Sequence, residues 1–485
     1  MAEERAARTL YTFGPRPTRG VMLGLGVTQL VGLGAGGVLA LGILATSGNL
    51  LVALVPLALA GIYVWAPVSG RPVHEWAGPA VAHCWRRARG DATWSASPET
   101  PGPVPFAGLE VVSAGDPEHP VAVVVNTGRG RPTYTAVMAV SGGDFAMING
   151  ADQERRLAAW GEALSGLGAP GLGISRVQWV ERSGPERADA AASWAARHRT
   201  VAASSPAAQS YAGLLSKARP EARRHDVWLA IQISPRRCNP ALGSSDPGLE
   251  EVLAGVDLAA RRINSAELTT LGAVGPGELG EVLHALIDPD YARALASNPR
   301  HLRSVGRPLP WPAATETPWG AYRTDGTWHA TYWLSELPRR PVGAAWLSPL
   351  LLSAVAGVRS LSVVMEPLSP AKAARRAERE VFENDADAAQ RDRLGFARTA
   401  RRERERAQAA TREEELVSGY SLMRFVGLVS VAARDRKALA EACREVEQAA
   451  GQACVELVRL YGRQDLAFVA SLPLCAGLAR MPWGM

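Results

Sequence analysis

Residues 319–342, WGAYRTDGTWHATYWLSELPRRPV, set Trp319, Tyr322, Trp328, Tyr332 and Trp333 around one histidine, His329, in a chain that is only 6% aromatic. An imidazole beside an acid works as a general acid or base near neutral pH. Aromatic faces interleaved with arginine also stack nucleic-acid bases. The plainest reading is a packed hairpin. Asp325-Gly326 is a two-residue turn signal, because Gly tolerates the positive φ of a type I′ turn. Pairing outward sets Thr324 against Thr327, Arg323 against Trp328, Tyr322 against His329, and Trp319 against Tyr332. One face then carries Trp319, Ala321, Arg323, Trp328, Ala330, Tyr332 and Leu334, with a cation–π pair and an aromatic pair. His329 falls on the other face beside Tyr322. No cysteine, GxSxG serine or matching histidine accompanies it, so the sequence favours a structural, hydrogen-bonded histidine over a catalytic one.

Other chemical signatures are weak. Gly32-Leu33-Gly34-Ala35-Gly36-Gly37 matches the dinucleotide fingerprint, but that motif needs a strand before it and a helix N-terminus after it. Here it lies inside an apolar run. A phosphate-binding loop needs Gly-Lys-Ser/Thr, and neither Lys217, Lys372 nor Lys437, the only lysines, follows a glycine. The five cysteines (84, 238, 443, 454 and 475) form no CxxC pair, which argues for reduced, mostly buried thiols in the cytosol and against a disulfide framework or zinc site. His74 and His83 lack HExxH spacing. No cofactor, metal or catalytic residue is expected. The net charge of +6 is nearly all arginine interleaved with acid, so no direct nucleic-acid contact is expected either.

The elements that must carry these residues begin at a membrane. Gly20–Ala45 and Leu50–Ala66 hold no charged residue. A spanning helix needs roughly 20 apolar residues, with about 17 as the lower limit. The pair, helices at about 20–45 and 49–66 joined by Thr46–Asn49, reads as a transmembrane hairpin within residues 1–70. A cleaved signal peptide would be shorter and would not be followed by a second apolar run. Arg5, Arg8, Arg16 and Arg19 precede the hairpin and Arg71, Arg86, Arg87 and Arg89 follow it, which predicts two passes with both termini cytoplasmic. Gly20, Gly24, Thr28, Gly32, Gly36 and Ala40 place a small residue at every fourth position. That stripe lets another helix approach closely, either the second helix of the hairpin or a neighbouring subunit. Residues 71–106 read as a juxtamembrane helix bearing Trp76, Val81 and Trp85 beside arginines, followed by a Pro-rich linker.

The remainder predicts an α+β fold. Leu157, Trp160, Leu164 and Leu167 recur at helical spacing over 152–167, between a strand running to 149 and another at 174–181. Val227, Leu229, Ile231 and Ile233 alternate as a half-buried strand. RFVGLVSVAAR (424–434), an amphipathic helix through Leu439, Cys443, Val446, Ala450, Ala453 and Leu457, and AFVASLPL (467–474) read as a strand-helix-strand unit. Two α+β halves are therefore expected, with a cytoplasmic domain at 107–370, a salt-bridge-laced helical arm at 371–416, and a C-terminal unit at 417–485.

YRTDGTWHATYWLSELPRRPVGAAWLSPLL, SLSVVMEPLSPAKAARRAERE, LVRLYGRQDLAFVASLPLCAGL and DQERRLAAWGEALSGL with ISRVQWVERSGP resemble the pre-ATPase domain of type IV secretion and conjugation ATPases. The hairpin resembles the two-helix inner-membrane subunit often fused to that ATPase, and the whole is most similar to actinobacterial PrgI-like membrane proteins. The resemblance stops at Met485, where the motor domain of that family would begin. It implies a non-enzymatic inner-membrane scaffold that anchors a separate ATPase, contacts membrane lipid and works in an oligomeric secretion assembly. An EccE-like component of type VII secretion and a membrane-tethered enzyme using His329 are the alternatives. The apolar tail LPLCAGLARMPWGM, with Leu472, Leu474, Leu478, Met481 and Trp483, is expected either to fold back on the core or to be covered by that ATPase.

Overall fold

The computed structural model describes residues 10–13, 27–68, 71–96, 105–128, 131–141, 147–169, 172–185, 190–218, 223–235, 247–290, 311–353, 357–369, 371–379 and 421–477, with a few single positions besides. The chain divides into a helical unit, residues 16–93 with 461–463, and a sheet unit that takes in 94–460 and 464–485.

In the helical unit, α1 (Val27–Ser47) and α2 (Leu50–Trp65) are joined by Gly48 and Asn49. Gly48 adopts φ 60°, a left-handed conformation that costs a residue without a Cβ little. Asn49 caps α2 by accepting from Leu51 N at 3.1 Å. Gly32 and Gly36 of the small-residue stripe face the second helix of this same hairpin. A Cβ on Gly36 would lie 2.5 Å from Ala60 Cβ, and one on Gly32 would lie 2.7 Å from the Tyr63 ring. Ala40, Ala53, Ala60 and Val64 are buried, whereas Val38, Leu39, Leu41, Leu50 and Leu51 are exposed. Gly20 and Gly24 lie outside the described residues, as does any part of the first helix before Val27. Residues 29–47 of α1 are long and apolar enough to cross a membrane; α2, with 16 residues, is shorter. Two-residue strands β1 (Pro67–Val68) and β2 (Arg71–Pro72) lead into α3 (Val73–Ala88), which exposes Val81 and Trp85.

The sheet unit contains β3 (Thr93–Ser95), β4 (Leu109–Ala114), β5 (Val121–Asn126), β6 (Thr133–Ser141), α4 (Gly150–Leu167), β7 (Ile174–Pro185), α5 (Ala190–His198), α6 (Pro206–Ala218), β8 (Arg223–Ile233), α7 (Pro247–Ser265), β9 (Thr269–Ala273) and α8 (Pro276–Ile287). It continues with β10 (Ala314–Glu316), β11 (Tyr322–Thr324), β12 (Thr327–Glu336), α9 (Ser348–Leu352), β13 (Val358–Pro367), β14 (Met423–Ala433), α10 (Arg436–Gln452), β15 (Glu456–Arg459) and α11 (Gln464–Ser471). The strands form one antiparallel sheet in the order β3-β10-β11-β12-β14-β13-β7-β8-β6-β5-β4, with β15 also on β12 and β9 also on β6. Val-, Ile- and Leu-rich runs such as VAVVV in β5, WLAIQI in β8 and FVGLVSV in β14 build much of it.

The order is a palindrome. β6-α4-β7-β8-α7-β9 is a β-α-β-β-α-β unit in which each helix crosses over one intervening strand, and β12-α9-β13-β14-α10-β15 repeats it strand for strand. This is the ferredoxin-like arrangement, present twice and joined through β7 and β13, which pair antiparallel from Val177↔Met365 to Ser183↔Arg359. A hairpin precedes each unit, a helix follows each, and each carries a long insertion between its second and third strands. Even the exit from the second helix recurs: two residues beyond α7, Glu267 takes φ 59°, and two beyond α10, Cys454 takes φ 57°.

Several details depart from the sequence reading. The strand expected to reach 149 ends at Ser141. AFVASLPL is helix α11 and its exit, because a short run buried on every side carries no period-2 alternation. The final strand is instead β15, and β14 and β15 complete the second half rather than standing as a separate unit. Residues 371–379 are helical, and Phe382 is exposed; most of the arm beyond lies outside the described residues.

Candidate functional site

β11 and β12 pair with Tyr322↔His329, Arg323↔Trp328 and Thr324↔Thr327. The positive φ falls on Asp325, at 48°, while Gly326 lies outside the left-handed region, so the turn is not the type I′ expected. Asp288, just after α8, holds it: Gly326 N donates to one carboxylate oxygen at 3.3 Å and Thr327 Oγ1 to the other at 3.0 Å. Arg323 lies over the Trp328 ring at 5.6 Å, and Arg436 joins it at 4.3 Å. Trp319 does not pair with Tyr332. β11 begins at Tyr322, and Tyr332 lies between Val429 and Arg459 instead. The Tyr332 hydroxyl donates to Glu447 Oε1 at 2.7 Å.

His329 is fully buried, with Nε2 3.0 Å from Ile287 O and 2.6 Å from Thr324 Oγ1, and its ring 4.2 Å from Phe468. Burial in this apolar site pushes its pKa down to about 3, against the opposing pull of the Ile287 carbonyl. A neutral imidazole donating to that carbonyl fits the geometry. His329 lines neither the groove between the halves nor the smaller cavity beside Ala432 and Ala433. The third position of β6, matching His329 in β12, is Thr135, whose cross-strand neighbour Gln232 donates to Cys475 O at 3.3 Å. Each half thus uses a polar side chain at this place to receive the chain leaving the other half's last helix. On one side that side chain is an amide, which cannot exchange a proton near neutrality.

The C-terminal apolar residues are similarly occupied. Leu472, Leu474, Cys475 and Ala476 are buried in the core shared by α8 and α11. Gln178 fixes them: Nε2 donates to Ala470 O at 3.0 Å and Ser362 Oγ at 2.8 Å, and Oε1 accepts from Cys475 N at 2.7 Å. This segment folds back on the core; Leu478, Met481 and Trp483 lie outside the described residues. Burial pushes the Cys475 thiol up to about 12. Cys443 is buried as well, while Cys84 and Cys454 are exposed, so burial of the thiols is only partial. Among the described residues no group of three or more His, Cys, Asp or Glu is placed to hold a metal.

The open feature is a cavity of about 930 Å³ where the halves meet. Trp179 and Glu181 of β7 and Leu361, Val363 and Met365 of β13 line it, being alternate residues on one face of adjacent strands. Leu157 and Trp160 of α4 contribute from one side, and Leu347 and Leu351 at α9 from the other. The cavity exists because the repeat is unequal. α4 has 18 residues over its strands, whereas α9 has five. Trp160 and Trp179 meet edge to face at 5.3 Å and both stay partly exposed.

One end of this groove is polar. His225 Nδ1 lies 2.7 Å from Glu181 Oε1, and Arg359 Nη2 lies 4.0 Å from the same oxygen. Arg359 is buried, its guanidinium spent on Ser353 Oγ at 3.2 Å and on the Leu351 carbonyl; burial lowers its pKa, with Glu181 opposing that shift. Arg182 and Arg224 pair with Asp226, and Arg156 pairs with Glu267. Glu181 is 7% exposed, and its Oε2 has no hydrogen-bond partner. A buried carboxylate oxygen left unpaired costs free energy that an incoming donor recovers. The sequence reading missed Glu181 and Trp179. The alternation in VQWVERS, which puts both on one face, was the available signal.

Compared with models of known protein families and with curated proteins, the sequence matches none.

Proposed function

We propose that this chain is a non-enzymatic scaffold of a type IV-like secretion or conjugative DNA-transfer apparatus. Its hairpin passes the inner membrane twice with both termini cytoplasmic, and the sheet unit holds a separate ATPase there. The observation that carries the reading is the helical hairpin. Gly32 and Gly36 pack against Tyr63 and Ala60 of its own second helix, while Val38, Leu39, Leu41, Leu50, Leu51 and Leu59 are exposed, a surface suited to lipid. The buried, hydrogen-bonded His329 supports a structural role for the aromatic hairpin.

A reporter active only outside the membrane, fused at residue 48, should be active, and one fused after residue 90 silent; the reverse pattern rejects the topology. Affinity purification of the tagged full chain from detergent in its native host should recover a secretion-type ATPase. Recovery of the chain without any ATPase rejects the scaffold role.

A further inference from the structure

We infer that the groove between α4 and α9 receives an amphipathic helix of a partner protein, with one arginine or lysine set among large apolar residues and bound to Glu181. The inference rests on the scaffold reading and names the contact that would serve it.

The shape argument comes from the repeat. In the first half α4 covers its strands by laying Trp160, Leu164 and Leu167 against them. In the second half the equivalent crossover is five residues long, and Val363 of β13 stays partly exposed on the helix-bearing face. What is missing is a helix about as long as α4. Helices that dock in grooves place large apolar side chains at i, i+3, i+4 and i+7. The floor offers matching contacts in Trp179, Leu361, Val363 and Met365, with Leu157, Trp160, Leu347 and Leu351 at the sides.

The charge argument selects the basic residue. Arg156, Arg182 and Arg224, which also line the cavity, already hold carboxylates. Glu278 and Glu281 also line the cavity but are exposed to solvent, whereas Glu181 Oε2 is buried without a hydrogen-bond partner, flanked by Trp179 two residues earlier on the same face. A cation over an indole face and on a desolvated carboxylate gains from both. An acidic or wholly apolar helix would leave Oε2 buried and unpaired.

The test is a selection. Detergent-solubilised full chain is panned against displayed 18-residue helices, the length of α4, with large apolar residues fixed at i, i+3, i+4 and i+7 and random residues elsewhere. Recovered helices should carry Arg or Lys beside the apolar stripe. They should bind at least about tenfold more weakly to E181Q, the loss expected from one buried charge-assisted hydrogen bond, and to V363E. L351E, altered at the groove's side, serves in place of V363E if circular dichroism shows that V363E is misfolded. Helices that bind the variants as well as the native chain, or a selection that recovers nothing beyond what V363E recovers, overturn the inference. Co-purification of the ATPase is scored separately. A chain that selects basic helices but retains no ATPase rejects the scaffold and keeps the groove.

Discussion

The two halves of the sheet share a strand order and differ in how they are clothed. The first half has two long helices, α4 and α7, over one face, and α8 beneath. The second has one long helix, α10, with α9 reduced to a single short turn, and α11 beneath. A sheet that buries one face must have something over it. Where the covering helix is cut short, the apolar strand surface remains and becomes a place to bind. Repetition with one deletion makes a site from residues that would otherwise be core.

The comparison breaks most decisively at the shared core. Phe468 of α11 touches both His329 and Tyr322 and belongs to the cluster that also holds α8. Phe468→Ala should cost about 3–5 kcal/mol. Hydrogen exchange in the full chain should rise in β8 as well as in β12; a rise confined to β12 would show that the halves are stable independently. Next is Gln178→Ala, which removes three buried hydrogen bonds and strands Cys475 N. About 2–4 kcal/mol should be lost, read from the urea midpoint of the full chain in detergent, and an unchanged midpoint would mean that the segment after α11 adds nothing.

The third effect depends on pH and should be specific to the second half. The folded pKa of His329, about 3, lies below its ordinary value of 6.5, so the unfolded chain binds the proton more readily. The stability this lends is present in full above pH 6.5 and is lost as pH falls towards 3. Between pH 7 and 5 the loss should be about 2 kcal/mol. The pH slope of the urea midpoint should flatten in His329→Gln, whatever that variant's absolute stability; a slope equal to that of the native chain would assign the dependence elsewhere. The smallest effect sharpens the repeat itself. Cys454→Gly should stabilise by roughly 0.5–1 kcal/mol by relieving a left-handed residue. Glu267→Gly should gain less, because Glu267 also pairs with Arg155 and Arg156. Equal thermal shifts would show that those pairs contribute nothing.

Much of the sheet was legible. The alternation in β8, the β-branched run of β14, the stripes of α4 and α10, and the register of β11 with β12 all follow from local periodicity. α11 was not, since Ala467, Phe468, Val469 and Ala470 are all buried and no polar face marks a helix. Nor was the groove. It results from the brevity of α9 opposite α4, two segments distant in sequence whose equivalence appears only through strand order. A hydrogen-bonded His329 was expected from the sequence, but its acceptor, Ile287 O, needed α8 in place.

The glutamine clamp has a consequence for biogenesis. Gln178 and Gln232, on strands of the first half, take their last partners from residues 470–475, beside Ser362 for Gln178 and Thr135 for Gln232, and Gln464 spans Thr331 N and O at 2.7 and 3.1 Å much as a neighbouring strand would. The first half therefore cannot close its polar core until residue 475 has left the ribosome. At roughly 5–20 residues per second, tens of seconds of synthesis separate β7 and β8 from these last partners, with α1 and α2 already emerged. The helical hairpin leaves the ribosome long before the sheet unit is complete, so the two units are free to begin folding at different times.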